Sequence, residues 1–159
     1  MNNYMKLELA AIGENESFAR SAVAAFALFL NPSLTELSDI KTAVSEAVTN
    51  CIVHAYRQGK EGDKIVIECR ACLCPDALHG TLHIEITDYG CGIDDLERAI
   101  APFYTTLGDE ERSGMGFTIM QTFMDDFSVE SERGRGTKVK MVKKIGIEAA
   151  DEVEKRANA

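Results

Sequence analysis

Tryptophan is absent from this sequence, proline occurs only three times, and aromatic residues make up 7% of the 159 positions. Hydrophobic residues nevertheless reach 45%, so a core is available, and it must be aliphatic. A chain of this length is the size of one domain and can bury such a core without disulfide or metal staples. No apolar run approaches the roughly 20 residues of a membrane span. The opening Met1-Asn2-Asn3-Tyr4 lacks the basic and apolar regions of a signal peptide. The expectation is a cytoplasmic protein. Basic residues are also scarce: 17 Lys and Arg stand against 26 Asp and Glu, a net charge of -9. That balance excludes broad contact with a nucleic-acid backbone, which needs clustered cations. It does not exclude a nucleotide, whose phosphates can be held by backbone N–H groups and Mg²⁺.

Five cysteines in a cytosolic chain are expected to be reduced thiols. Cys69, Cys72 and Cys74, with His79 and His83 nearby, resemble part of a metal site. Strand pleating argues otherwise, because Ile65, Ile67, Cys69, Ala71 and Leu73 share one face and Cys72 falls on the other. No second paired cysteine element exists, so these residues read as small hydrophobes.

Alternation over residues 5–12 predicts a first strand, with Met5, Leu7, Leu9 and Ala11 on one face. Phe18, Ala22, Phe26 and Leu30 predict an amphipathic helix over 15–30, ended by Asn31-Pro32. Ser33 and Glu36 predict a capping box for a second helix running to about Tyr56. Its apolar face is Leu37, Ile40, Val44, Val48, Cys51 and Ala55. Strands are expected near 64–73 and 81–88, then an irregular glycine-rich stretch from Asp88 to Gly116, and a helix over 116–124. Two final strands, 126–132 and 136–144, flank the turn Arg133-Gly134-Arg135-Gly136. The expected fold is a two-layer α/β sandwich, a mostly antiparallel mixed sheet with helices packed on one face. Residues 1–146 read as one domain and 147–159 as a charged tail, solvated or fraying.

Four clusters carry chemistry. Glu46, Asn50 and His54 are spaced i, i+4, i+8 and form a polar stripe roughly 140° from the apolar face of the second helix. The small residues Ala43 and Ala47 flank it; spacing alone also fits a solvated face. Leu82, Ile84 and Ile86 alternate inward and Asp88 continues that series. A buried carboxylate needs a donor: a ligand amino group, a helix N–H or an arginine. Asp88 opens Asp88-Tyr89-Gly90-Cys91-Gly92, in which glycines permit positive φ and close backbone approach. Arg112-Ser113-Gly114-Met115-Gly116-Phe117 precedes a helix, where free N–H groups and Arg112 suit an anion. The alternative there is a flexible connector. Thr137, after Gly134-Arg135-Gly136, shares a face with Val139 and Met141, although a plain turn and strand start explains it equally.

In order and spacing these clusters resemble the Bergerat ATP-binding fold shared by gyrase, heat-shock-90 chaperones, histidine kinases and MutL proteins. Glu46-x-x-x-Asn50-x-x-x-His54 resembles its N box, Asp88-x-Gly90-x-Gly92 its first glycine box, Gly114-x-Gly116 its second, and Gly136-Thr137 its last. Within that superfamily, residues 14–20, 45–50, 102–106, 111–120 and 123–125 resemble the sporulation anti-sigma kinases that act on sigma-F-type factors. The general-stress anti-sigma kinases share the boxes and are less similar over 111–120. The segment 58–81, with three cysteines, is longer than the family pattern, and the tail beyond Ile145 lies outside it.

The resemblance implies ATP and Mg²⁺ as cofactors, with Asn50 as the metal ligand and Glu46 as the base that deprotonates a serine of a protein substrate. It implies that Arg112 reaches the γ-phosphate, that Asp88 accepts from the adenine amino group with support from Thr137, and that Gly92 lets the base approach. Ser113, Gly114, Met115 and Gly116 would cradle phosphates, and His54, Thr105, Thr106 and Phe117 would complete the nucleotide site. Partners would be a sigma factor of the sigma-F type, contacted by Arg20, and an anti-anti-sigma protein as phosphorylation substrate. A homodimer through the first strand and helix is expected on the same grounds, with no membrane or direct nucleic-acid contact. Three rival readings are a general-stress anti-sigma kinase, an ATP-gated sigma-binding module without catalysis, and the catalytic half of a histidine kinase. Glu46 counts against the second. Against the third, only about 12 residues precede the first helix, none a histidine.

Overall fold

The computed structural model describes residues 1–56, 60–76, 78–101 and 115–146. Five strands form one sheet: β1 (Asn2–Ala10), β2 (Lys64–Leu73), β3 (Gly80–Asp88), β4 (Asp126–Glu132) and β5 (Gly136–Ile145). Their spatial order is β1-β2-β3-β5-β4, and every neighbouring pair is antiparallel. The helices are α1 (Glu14–Ala27), α2 (Leu34–Asn50), the short α3 (Leu96–Ile100) and α4 (Gly116–Phe123). A 3₁₀ turn, Leu28–Leu30, extends α1, and a π turn, Cys51–Ala55, extends α2. The sequence-based expectation of an α/β sandwich with helices on one face holds.

Period-2 patterning sets the two faces of the sheet. Ile65, Ile67, Cys69 and Ala71 of β2, Leu82, Ile84 and Ile86 of β3, and Val139, Met141 and Ile145 of β5 are buried beneath the helices. Ile40, Val44 and Val48 of α2 and Met120 of α4 meet them from above. Each fully buried Ile or Leu adds about 1.5–3 kcal/mol relative to exposure. The outer face instead carries cross-strand charge pairs: Lys6 with Glu68, Lys138 with Glu85, and Lys140 with Glu130. Such exposed pairs contribute little individually.

Helix starts and stops follow local chemistry. Asn31 ends the first helical segment in the left-handed conformation, φ 53°. Ser33 Oγ accepts from Glu36 N at 3.2 Å while Glu36 Oε2 accepts from Ser33 N at 2.7 Å, the reciprocal box expected from the sequence.

Two expectations are corrected. The buried face of α1 is Ala19, Val23, Ala24 and Ala27, whereas Phe18 is 52% exposed. Small side chains seat this helix on its neighbours, and the larger Phe18–Ala22–Phe26 row lies beside that line. The second helix is also not α-helical to Tyr56: after Asn50 it widens into the π turn, which shifts His54 off the straight Glu46–Asn50 stripe.

Among the described residues no group of three or more His, Cys, Asp or Glu is placed to hold a metal. Cys69 is buried on the inner face, where desolvation pushes its thiol up to about 12, while Cys72 is half-buried on the outer face and Cys74 is exposed. The terminal segment 147–159 lies outside the described residues.

Candidate functional site

At one end of the site, β3 ends on an inward carboxylate. Asp88 is 4% exposed, the last member of the Leu82–Ile84–Ile86 row. Its Oδ1 accepts from Gly90 N at 3.0 Å and from Thr137 N at 3.2 Å. Neither bond uses the second carboxylate oxygen. Burial raises the Asp88 carboxyl above its ordinary value; the two backbone N–H groups and the Cys51 thiol oppose that rise without cancelling it. The donors demanded by a buried carboxylate are therefore partly backbone groups of the loop and of β5, neither a helix N–H nor an arginine.

Close backbone approaches explain the glycines here. A Cβ at Gly90 would collide with the Ala55 carbonyl, and one at Gly136, where φ is 111°, with the Asp88 carbonyl. Gly92, at φ 70°, lies against the Glu132 carbonyl. Cys91 N donates to Ala55 O at 3.0 Å and Cys91 O accepts from Gly134 N at 2.8 Å. The first glycine box is thus stitched to the π turn on one side and to the β4–β5 turn on the other. Cys91 Sγ also donates to His54 O at 3.4 Å.

Two further residues complete this end, and the sequence reading passed over both. Ser131 Oγ lies 2.8 Å from Thr137 Oγ1, donates to Gly136 O at 3.1 Å and accepts from Ile93 N at 2.8 Å. The Phe127–Val129–Ser131 alternation, with Ser131 opposite Thr137 in the register, could have located it. Tyr56 Oη donates to Lys64 O at 2.6 Å and accepts from Tyr89 N at 2.8 Å, joining the end of the π turn to the start of β2 and the loop after β3. No spacing rule signals that contact. A cavity of about 310 Å³ is lined by Asp88, Ser131, Gly136 and Thr137 together with Glu130 and Lys138 of the outer face.

The other end joins α2 to α4. A Cβ placed on Gly116 would sit 3.3 Å from Asn50 Nδ2 and Oδ1 and 3.3 Å from Glu46 Oε2. The missing side chain lets the start of α4 lie directly against both polar groups. The first bond of that helix runs from Ile119 N to Met115 O at 2.8 Å. The N–H groups of Gly116, Phe117 and Thr118 precede it and have no intrahelical acceptor. Thr118 Oγ1 is buried in this first turn without a hydrogen-bond partner among the described residues. Met115 caps the helix, and the Phe117 ring packs on Phe127, centroids 5.9 Å apart.

Arg20 is on α1. It pairs with Glu16 at 3.6 Å, and Glu16 accepts from the Ser45 hydroxyl, next in sequence to Glu46. Thr105, Thr106, Arg112, Ser113 and Gly114 lie outside the described residues.

The Asp88 carboxylate meets the Cys51 thiol, one residue beyond Asn50, so a buried carboxylate stands near an amide and a second carboxylate set against a helix N-terminus, an arrangement that suits a nucleotide. Comparison with known proteins agrees. Residues 9–143 match the model of the histidine kinase-like ATPase domain. The anti-sigma F factor of Caldanaerobacter subterraneus subsp. tengcongensis is 54% identical over 91% of this chain and 96% of its own length. That of a Clostridium botulinum strain is 52% identical over the same shares. Among solved structures, the RsbU and RsbW domains of a Mycobacterium tuberculosis protein share the fold, with a TM-score of 0.57 at 15% identity over 90% of this chain and 32% of that one. The chain belongs to the histidine kinase-like ATPase domain family and, within it, to the anti-sigma F factors. That domain implies ATP binding.

Proposed function

We propose that this protein is an ATP-dependent serine protein kinase of the cytoplasm that also holds a sporulation sigma factor inactive while ATP is bound. The observation that carries this reading is the meeting of Glu46, Asn50 and the start of α4 at Gly116, where no side chain intervenes. A pure clamp has no need of a carboxylate beside the phosphate end.

Asp88 would accept a hydrogen bond from the adenine amino group, with Thr137 and Ser131 completing that wall. The open N–H groups at the start of α4 would take phosphate oxygens. Asn50 would hold Mg²⁺ through its amide oxygen, a hard donor suited to that cation; when bound, Mg²⁺ would neutralise phosphate charge. Glu46 would take the proton of the substrate serine as its oxygen bonds to the γ-phosphorus and the bond from that phosphorus to ADP breaks. By family resemblance Arg112 would stabilise charge on the transferred group, with His54, Thr105, Thr106, Ser113, Gly114, Met115 and Phe117 around it.

The serine would belong to an anti-anti-sigma protein. A homodimer through β1 and α1 is supported by the edge position of β1 and by Ile12 and Phe18, 49% and 52% exposed. Arg20 is expected to contact partners: Arg20→Glu should weaken capture of the sigma factor and leave ATP binding intact, and unchanged capture would remove it from the interface.

The deciding experiment is transfer of radiolabelled phosphate from ATP to the anti-anti-sigma protein, comparing wild type with Glu46→Gln. Transfer should fall by about 10²–10⁴-fold, while ATP affinity by calorimetry stays within about twofold. Equal transfer by both proteins would remove Glu46 from the mechanism. Absence of transfer by the wild type, with ATP bound and sigma factor held, would leave a nucleotide-gated clamp.

A further inference from the structure

Lys143 stands on the inward face of β5, between the buried Met141 and Ile145. Its ammonium donates to Asp39 Oδ2 at 2.9 Å and to Phe123 O at 2.8 Å. The pair is shielded, with side-chain exposures of 12% for Lys143 and 20% for Asp39. Phe123 is the last residue of α4, so Lys143 satisfies a terminal carbonyl and lies at the negative end of the helix dipole. Asp39 is on α2. Asp39, Glu46 and Asn50 are spaced i, i+7, i+11 and fall within about 20° of one line along that helix.

These contacts fix α4 against α2 at both ends, with the two helices running in opposite directions. At the start of α4, Gly116 meets Glu46 and Asn50. At its end, Lys143 joins Phe123 to Asp39. The helix has eight residues, about 12 Å of rigid rod, so its far end determines where its near end points. We infer that Lys143 is a positioning residue: by clamping the end of α4 to Asp39 it aims the open N–H groups at the start of α4 toward the phosphates held beside Glu46 and Asn50.

This inference rests on the nucleotide reading above, and its test keeps the two apart. Affinities of ATP and of adenosine are measured for wild type, Lys143→Met, Asp39→Asn and the double variant by ligand-observed magnetic resonance, with thermal melting alongside. Adenosine reports the Asp88 end alone. Lys143→Met should weaken ATP about fivefold, the size of one helix-terminus anion interaction, and leave adenosine within about twofold. Asp39→Asn should give part of the same loss, and the double variant should lose no more than Lys143→Met alone. A lower melting temperature with an unchanged ATP-to-adenosine ratio would overturn the clamp and leave an ordinary stabilising ion pair. Should Lys143→Met fail to fold, Asp39→Asn reads the same ratio. A wild type that binds adenosine and ATP equally would overturn both the clamp and the phosphate end of the site.

Discussion

The two ends of the site are built differently. The Asp88 end is assembled from backbone: Gly90 N, Thr137 N, and the carbonyls of Ala55, Glu132 and Asp88 that leave no room for a Cβ. Five segments converge there: the π turn, the start of β2, the loop after β3, β4 and β5. The Glu46–Asn50 end is assembled from side chains of one helix against the start of another, with Gly116 between. Backbone contacts of the first kind come with the sheet and cannot shift separately from it. Helix-on-helix contacts of the second kind depend on how α4 lies on α2. On the proposed reading the first would be a fixed wall for the base and the second an adjustable wall for the phosphates, as a protein switched by its nucleotide would need.

The largest effect on nucleotide affinity should come from Asp88→Asn. Asparagine can keep both backbone bonds at Oδ1 but turns its second oxygen into a donor, opposite to what an adenine amino group needs. ATP affinity by calorimetry should fall by about a hundredfold or more. Stability should not fall with it. The folded Asp88 carboxyl is raised by burial, so folding is favoured by its proton below the unfolded value and disfavoured once pH rises through the folded one. At neutral pH the ionised group is a cost, and its removal should leave the melting temperature of the ligand-free protein level or higher. A lower melting temperature would mean that Asp88 holds the sheet end together and that the fixed wall depends on its charge.

Gly116→Ala probes the adjustable wall. The new methyl would press on Asn50 and Glu46 at 3.3 Å, so one of them must give way. Phosphoryl transfer should fall about tenfold, as displacements of well under an ångström at reacting groups do. Stability should change by less than about 0.5 kcal/mol, because alanine is at least as good a helix former. Equal transfer by both proteins would show that α4 moves aside at no cost, and the contrast between the two walls would sharpen further.

The sequence carried more of one wall than of the other. Periodicity gave every strand of the sheet and the inward aim of Asp88 and Thr137, because one residue of slip would reverse each face. The capping box at Ser33 and Glu36 and the turn at Arg133–Gly136 were equally legible, since each is local chemistry. What stayed hidden depends on tertiary contact. Tyr56 and Ser131 join segments distant in sequence, and neither carries a spacing signal by itself. The π turn at Cys51–Ala55 could not be read either: its residues suit an ordinary helix, and the widening accompanies the bond from Cys91 N to Ala55 O. Phe18 misled for a related reason, since an aromatic row beside an alanine row has the same period as a core face.

The smallest effect on the site comes from a residue that separates stability from both walls. Glu36 is 7% exposed, far along α2 from Glu46, and accepts from Ser33 N and from Gly146 N at 2.9 Å. Burial pushes its carboxyl up, but the N–H groups of Ser33 and Gly146, the Ser33 hydroxyl and the Lys143 ammonium outweigh this and hold it below its ordinary value. A lowered folded value means stability that is present above the unfolded pKa of 4.5 and lost as pH falls through the folded one. Glu36→Gln keeps the shape but faces one N–H with another donor, and it should lower stability at neutral pH by about 1–2 kcal/mol. In denaturant titrations the gap to wild type should narrow as pH drops below 4.5, because the wild type then loses the same charge. ATP affinity and transfer should be unchanged at neutral pH. If the ATP-to-adenosine ratio moved as well, Glu36 would belong with Lys143 and Asp39 among the groups that aim α4, and the adjustable wall would extend the full length of α2.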